Sequence, residues 1–293
     1  DLIDLQTGEE LSLDIDLRQG NPSYLNCEVI YASTSTMKVP IMVNFFRYLD
    51  WYPAEGSDDY KNLIETMTRS GNVSANAMLL KIGGGFGAPA GATEYMLAGA
   101  RSTTELVQDM GMENTFVVSF YDDEEDPEYY STPGREAARS GQCPDTRADL
   151  YMQTTTSDMA VILNMIYQCA ENGGGGLIAA FPDELTPDEC QMMIDLMSQN
   201  TEGQLIMAGV PESVKVAHKH GWTYDTHGDS GIVFTPGGDY VLSMFLWADV
   251  EWLNVQISFP LMEGISQAAF NYFNPDLILE PRRGLGLELG IEG

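Results

Sequence analysis

Positive charge is what this sequence has least of. Fourteen Lys and Arg residues stand against 44 Asp and Glu in 293 positions, a net charge of −30. Only five of the basic residues are lysines: Lys38, Lys61, Lys81, Lys215 and Lys219. Nucleic acid and anionic membranes both demand a concentrated basic face, so the charge argues against either as a partner. The acid surplus reads as a solubilising surface. Cysteine is sparser still: Cys27, Cys143, Cys169 and Cys190 lie far apart with no C-x-x-C pair, which argues against a zinc cage. One or two disulfides in an exported protein and reduced core thiols both remain open. No apolar run approaches the ~18 residues that a membrane span needs. No signal peptide is visible, but "DLIDLQTGEELSLDIDL" opens as strand, turn and strand, the beginning expected of a trimmed or mature chain.

What is present is enough hydrophobic residue, 44%, to bury a full core. Residues 1 to 32 alternate like strands. "TMKVPIMVNFFRYLD" (36–50) reads as a helix that is apolar nearly all round and therefore buried. Pro40 fits there only if the helix begins near Ser35, because a first-turn N–H has no intrahelical partner to lose. Helical patterns follow at about 57–69, 74–83, 93–111, 155–171 and 187–199, with a long polar, acidic stretch over 118–153. Strands are expected over 213–222, 229–236 and 240–248, then a closing helix over 260–273 and a weakly patterned tail. Strands at both ends with helices between them imply an α/β protein of the α+β type: one sheet built from both termini, with an inserted helical lobe. The sheet lobe is expected from 1–45 and 205–275, the helical lobe from 46–204, and the tail from 276–293.

Within the buried helix, Ser35 and Lys38 are three residues apart and so are neighbours on its surface. Apolar surroundings lower the pKa of a lysine, and a neutral amine can take a serine proton to create a nucleophile. The helix N-terminus adds positive potential where an oxyanion would form. Two more segments extend the pattern. "SGNVSANAML" holds Ser74-Ala75-Asn76 at an expected helix start, and "VAHKHGWTYD" holds Lys219-His220-Gly221 on a strand.

S-x-x-K, S-x-N and K-x-G in this order resemble the class A β-lactamases and penicillin-binding proteins. The flanks resemble them too: "DLQTGEELSLDIDL" the first strand pair, "TTTSDMAVIL" the helix after the omega loop, and "GDSGIVFTPGGDYVLSMFL" the last two strands. The resemblance implies a five-stranded antiparallel sheet and a cleft between two lobes. Ser35 would be the acylated nucleophile and Lys38 its base. Ser74 would relay protons to the leaving group, and Asn76 would hold the substrate's amide side chain. Lys219 would orient Ser74 and supply positive potential to a substrate carboxylate, and His220, Gly221 and Trp222 would line the substrate site. The N–H groups of Ser35 and Trp222 would form the oxyanion hole, and the Trp222 ring would wall the acyl pocket. No metal or organic cofactor is implied. The partner would be a small-molecule or peptide-like acyl substrate, and the location extracytoplasmic.

Three departures bear on the substrate. The omega-loop signature E-x-x-L-N is absent. Counting forward from "DMGM" lands on Asp122–Glu125 and makes Glu124 or Glu125 the candidate deacylating base. His220 replaces a family threonine or serine. No arginine occurs between Arg147 and Arg282, where the family uses one to bind a carboxylate. "GDSG" (228–231) matches a trypsin-like nucleophile motif, but His218, His220 and His227 all cluster beside it and not far upstream, so that reading fails. The same three histidines make a weak metal motif. "GGGFGAPAG" lacks the G-K-[ST] of a phosphate loop. The expected activity is serine acyl hydrolysis of a cyclic amide. The alternatives are an esterase or D-Ala-D-Ala-type peptidase of the same fold, and a non-catalytic penicillin-binding-like domain.

Overall fold

The computed structural model describes residues 1–18, 23–49, 52–89 and 92–280. Its central feature is a five-stranded antiparallel sheet in the order β2 (Glu10–Leu11), β1 (Leu2–Asp4), β10 (Tyr240–Trp247), β9 (Thr226–Phe234), β8 (Lys215–Trp222). The N-terminal strands join the C-terminal ones, as the alternation at both ends predicts. Smaller pairings link β3 (Ile15–Asp16) to β4 (Ser23–Tyr24), and β5 (Tyr31–Ala32) through β7 (Met152–Thr154) to β6 (Phe116–Val117). The tail expected over 276–293 is described only to residue 280; residues 281–293 lie outside the described residues.

Helices cover both faces of the sheet. On one face a core joins Ala217, Ile232 and Val241 to α1 (Lys38–Arg47), α3 (Asn72–Ile82), α4 (Thr93–Asp109), α6 (Thr156–Asn172) and α8 (Pro187–Met197). On the other, Val216, Val233, Leu242 and Met244 pack with α9 (Leu205–Ala208) and α10 (Val255–Phe273). The strict period of two along β8 therefore assigns odd residues to the first face and even residues to the second. α2 (Asp58–Thr68) precedes α3, and two short helices, α5 (Pro133–Arg139) and α7 (Gly175–Ala180), complete the set among the described residues.

Two helix starts differ from the sequence expectation, and one has consequences for the site. α3 begins at Asn72 with Gly71 as its N-cap, two residues before the expected start. α10 begins at Val255, where the Asn254 side chain accepts from the Gln256 N–H at 2.9 Å, and it carries Pro260 inside. The long acidic stretch is not structureless. Arg135 of α5 is buried and donates from Nε to Gln153 Oε1 at 2.7 Å and from Nη1 to the Tyr130 carbonyl at 3.3 Å. Its guanidinium also lies 4.7 Å from the centre of the Phe116 ring. All four cysteines are paired: Cys27 with Cys143 and Cys169 with Cys190, the second pair joining α6 to α8.

α3 and α4 cross so closely that only glycine fits at the contact. A Cβ on Gly99 would fall on the Leu79 carbonyl, 2.7 Å from its carbon, and a Cβ on Gly83 would fall on the Tyr95 carbonyl. Neither neighbour is a flexible side chain that can move aside. Gly99→Ala is expected to cost about 1–3 kcal/mol of stability through overpacking, read as a lower urea midpoint with an unchanged slope.

Candidate functional site

The site forms where a tight helical turn meets the free edge of the sheet. β8 is the last strand in the sheet order, so one side of its backbone is unpaired. Thr223 N donates to Thr226 O at 2.8 Å, immediately beyond the Trp222–His227 pair. Antiparallel ladders alternate bonded and non-bonded pairs, so the Trp222 N–H points away from β9 toward the open edge. A 3-10 turn, Thr34–Met37, lies against that edge and runs directly into α1. Gly221 makes the approach possible, since a Cβ there would sit 2.7 Å from the Ser35 nitrogen. The Ser35 and Trp222 N–H groups are thus presented from two elements that touch at a glycine.

Lys38 enters this junction one turn after Ser35 and is wholly buried. Its Nζ donates to Ser35 Oγ at 2.9 Å, to the Ser70 carbonyl at 2.8 Å, to Asn72 Oδ1 at 2.8 Å and, longer, to Ser70 Oγ at 3.2 Å. Lys219, equally buried, donates to the same Ser70 Oγ at 2.9 Å and to the His220 carbonyl at 2.9 Å. Desolvation lowers Lys38 from its usual value to about 7, with Lys219 pushing the same way and Asp122 opposing. Lys219 falls to about 8, again chiefly by burial, with Asp229 and Glu202 opposing.

The serine between the two lysines is therefore Ser70, not the expected Ser74. Ser74 sits inside the first turn of α3, where its Oγ donates back to the Gly71 carbonyl at 3.0 Å and accepts from Thr66 Oγ1 at 2.8 Å. Bonding to a carbonyl of the preceding turn is what a serine within a helix does. Ser70 lies before the helix in a left-handed conformation, φ +57, which turns its hydroxyl into the cleft. The asparagine is displaced by the same four residues. Asn72, not Asn76, faces Lys38. Asn76 spends its whole amide on Tyr121, accepting from the Tyr121 N–H and donating to its carbonyl, both at 2.9 Å.

The carboxylate that meets this network is not one of the two expected. Glu124 and Glu125 are exposed. Asp122 instead accepts from Asn72 Nδ2, at 3.1 and 3.2 Å to its two oxygens. A carboxylate only accepts, so this contact fixes the Asn72 amide with Nδ2 toward Asp122 and Oδ1 toward Lys38. Asp122 adopts φ +63, and the chain beyond it turns out to solvent.

His220 is turned away from the cleft. It is an even residue of β8, so its ring goes to the face opposite Lys219, beneath Phe259 of α10 and against Gly203. Burial pushes it down to about 4 and keeps it neutral. Only its carbonyl, the Lys219 acceptor, belongs to the site. His218 pairs with Asp229 at 2.7 Å and His227 with Ser258 at 2.7 Å on that same far face. Among the described residues, no three His, Cys, Asp or Glu side chains are placed to hold a metal ion. The Trp222 ring is 55% exposed and meets Trp252 edge-on at 6.0 Å.

Backbone strain marks the same place. Four described residues other than glycine have positive φ; Thr34, Ser70 and Asp122 are three of them. Such conformations cost of order 1–3 kcal/mol each and persist where surroundings over-determine them. Ser70, Asn72, Tyr121 and Asp122 were not picked out from the sequence. The available signal was Gly71, a helix-capping glycine that puts the first serine of "SGNVSAN" ahead of the helix and the second within it.

Ser70→Ala removes the hydroxyl shared by the two lysines and is expected to slow covalent labelling of Ser35 by about 100-fold or more, the scale of a lost proton relay. Ser74→Ala should stay within a few-fold of the parent, losing only about 1 kcal/mol of stability with its helix-turn hydrogen bonds. Labelling rates by mass spectrometry and urea midpoints check the pair, and the reverse ranking would return the role to Ser74.

Comparison with known proteins gives consistent results. A sequence profile described as "Beta-lactamase enzyme family" matches residues 60–273. No curated protein matches. Among solved structures, the chain is similar to PBP-A, with a TM-score of 0.61 at 18% identity over 94% of this chain and 88% of that one. A PBP-A variant solved as an acyl-enzyme complex with penicillin G gives 0.59 at 18% identity, over 94% and 89%. A class A β-lactamase from Mycobacterium abscessus gives 0.59 at 16% identity, over 93% and 92%. At these identities the structural likeness establishes the fold.

Proposed function

The chain belongs to the beta-lactamase enzyme family, and we propose that within it the chain is a serine acyl hydrolase working through an acyl-enzyme on Ser35. The observation that carries this reading is the set of partners around Lys38 Nζ. A neutral amine has two N–H donors and one lone pair. The Ser70 carbonyl and Asn72 Oδ1, both at 2.8 Å, are acceptors only and take the two donors. The lone pair is left for a hydroxyl proton, and Ser35 Oγ lies 2.9 Å away. With a pKa of about 7, a large share of Lys38 is in that neutral form at neutral pH.

The steps then follow from the distances. Lys38 takes the Ser35 proton as Ser35 Oγ bonds to the substrate carbonyl carbon. The carbonyl electron pair moves onto oxygen, where the Ser35 and Trp222 N–H groups receive it; removing one such donor costs about 2.7–4 kcal/mol. Collapse re-forms the carbonyl and breaks the bond to the leaving group. The leaving atom takes the Ser70 proton, and the Lys38 ammonium, 3.2 Å away, replaces it. Lys219 holds Ser70 Oγ through the exchange. Water then hydrolyses the ester. Asp122 is assigned as its base because it joins the network through Asn72 at the exposed rim.

A β-lactam is the leading substrate class, supported by the family and by the penicillin G acyl-enzyme of the PBP-A variant. An esterase or peptidase is the second reading. It is favoured by Tyr121, which places an aromatic ring and not a carboxylate against Lys38. Steady-state nitrocefin turnover distinguishes the two. Extracytoplasmic location is part of the proposal, and the two disulfides are consistent with it.

The decisive experiment is mass-spectrometric location of the adduct after treatment with labelled penicillin or a fluorophosphonate. The label is expected on Ser35 and absent from Ser35→Ala; full labelling of that variant would remove the nucleophile assignment. Lys38→Met, similar in volume, is expected to slow acylation by about 10²–10⁴-fold. Because the neutral amine is the active form, the parent rate should rise as pH rises through about 7. Asp122→Asn should leave acylation within a few-fold and slow release of the adduct by about 100-fold; wild-type release in this variant would end the role of Asp122 as base.

A further inference from the structure

We propose that Tyr121 is a positioning residue for the reacting pair: its hydroxyl holds the strained turn that presents Ser35, and its ring face receives the ammonium that Lys38 becomes on taking the Ser35 proton. The inference rests on the acyl-enzyme reading above. Tyr121 is buried at 8% exposure, and Asn76 pairs with both its backbone N–H and its carbonyl. Held this way, it makes two contacts of different kind. Its Oη donates to the Thr34 carbonyl at 3.1 Å, and its ring centre lies 4.3 Å from Lys38 Nζ.

Thr34 precedes the nucleophile and has φ +54, a conformation that a β-branched residue does not hold unaided. A hydrogen bond to its carbonyl fixes the peptide plane between Thr34 and Ser35, and with it the direction of the Ser35 N–H. Burial raises the Tyr121 hydroxyl well above its ordinary value, so it remains a donor throughout the working range.

The ring answers a different need. Lys38 must lose its proton easily to act as a base, yet carry one in the transition state. The charged groups facing it are Lys219 from β8, which disfavours the ammonium, and Asp122 from the acidic stretch, which favours it. Ser35, Ser70 and Asn72 are uncharged there. A carboxylate in contact with Nζ would hold the proton in the resting state. A ring face attracts the cation more weakly, through its quadrupole. It stabilises the ammonium without taking the amine out of service.

Three proteins test this: the parent, Tyr121→Phe, which keeps the ring, and Tyr121→Leu, which removes it. The readout is the rate of Ser35 acylation by labelled penicillin against pH, with thermal unfolding measured in parallel. Tyr121→Phe is expected to keep the rising limb where the parent has it and to lower the rate about threefold to tenfold, the loss of one buried hydrogen bond. Tyr121→Leu is expected to move the limb to lower pH by roughly half a unit to one unit and to lower the plateau at high pH. A limb that stays put or moves upward in Tyr121→Leu would show that the ring only fills space or seals out water, and would overturn the proposal. Parent-like rates in Tyr121→Phe would overturn the hydroxyl's part. If Tyr121→Leu does not fold, Tyr121→Met deletes the ring with a better-filling side chain. Failure of the parent to acylate at Ser35 would instead defeat the acyl-enzyme reading, a separate result.

Discussion

A buried amine with no carboxylate in hydrogen-bond contact must take its partners from neutral oxygen, and the site is organised around that requirement at Lys38. The Ser70 carbonyl, Asn72 Oδ1 and Ser35 Oγ each lie within 2.9 Å of Nζ and come from two stretches of chain. None carries a formal charge, so burial dominates and the lysine is poised near neutrality. Every other feature of the cleft either supplies one of these acceptors or fixes its direction. Asp122 orients Asn72, the left-handed turn at Ser70 aims its hydroxyl, and Gly221 lets the sheet edge reach Ser35.

The two lysines share Ser70, and burial lowers both. Their mutual repulsion contributes to the depression of Lys38. Lys219 is stabilised by Asp229 and Glu202 and keeps the higher value, about 8. The order of the two values comes from the surroundings, since the side chains are chemically identical.

The far face of the sheet is built differently. His218, His220 and His227 stand on adjacent strands beneath α9 and α10, and Asp229 joins them by accepting from His218 and from the Ile206 N–H. These contacts pack α9 and α10 onto β9 and β8, and β8 carries Lys219 on its other side. The histidine cluster so conspicuous in the sequence therefore supports the site from behind. His220, placed between Lys219 and Gly221, contributes a carbonyl to the cleft and a neutral ring to the core.

Local pattern was sufficient for much of this protein. A helix apolar nearly all round with Pro40 near its start set Ser35 and Lys38 one turn apart, and a period of two across Lys215–Trp222 put Lys219 and Gly221 on one strand face. Both relations are short in sequence and follow from the geometry of one element, as does the joining of terminal strands into one sheet. The same period of two already turned His220 away from Lys219. Tertiary structure alone decided which serine stands between the lysines and which carboxylate meets the asparagine. Ser70 and Ser74 differ by one helical turn, and a capping glycine rather than composition separates them. Asp122 rather than Glu124 or Glu125 reaches the site because Asn76, forty-five positions away, pins the Tyr121 backbone before the chain turns outward. Contacts made across that separation have no periodic trace in the sequence, and only the folded chain brings their ends together.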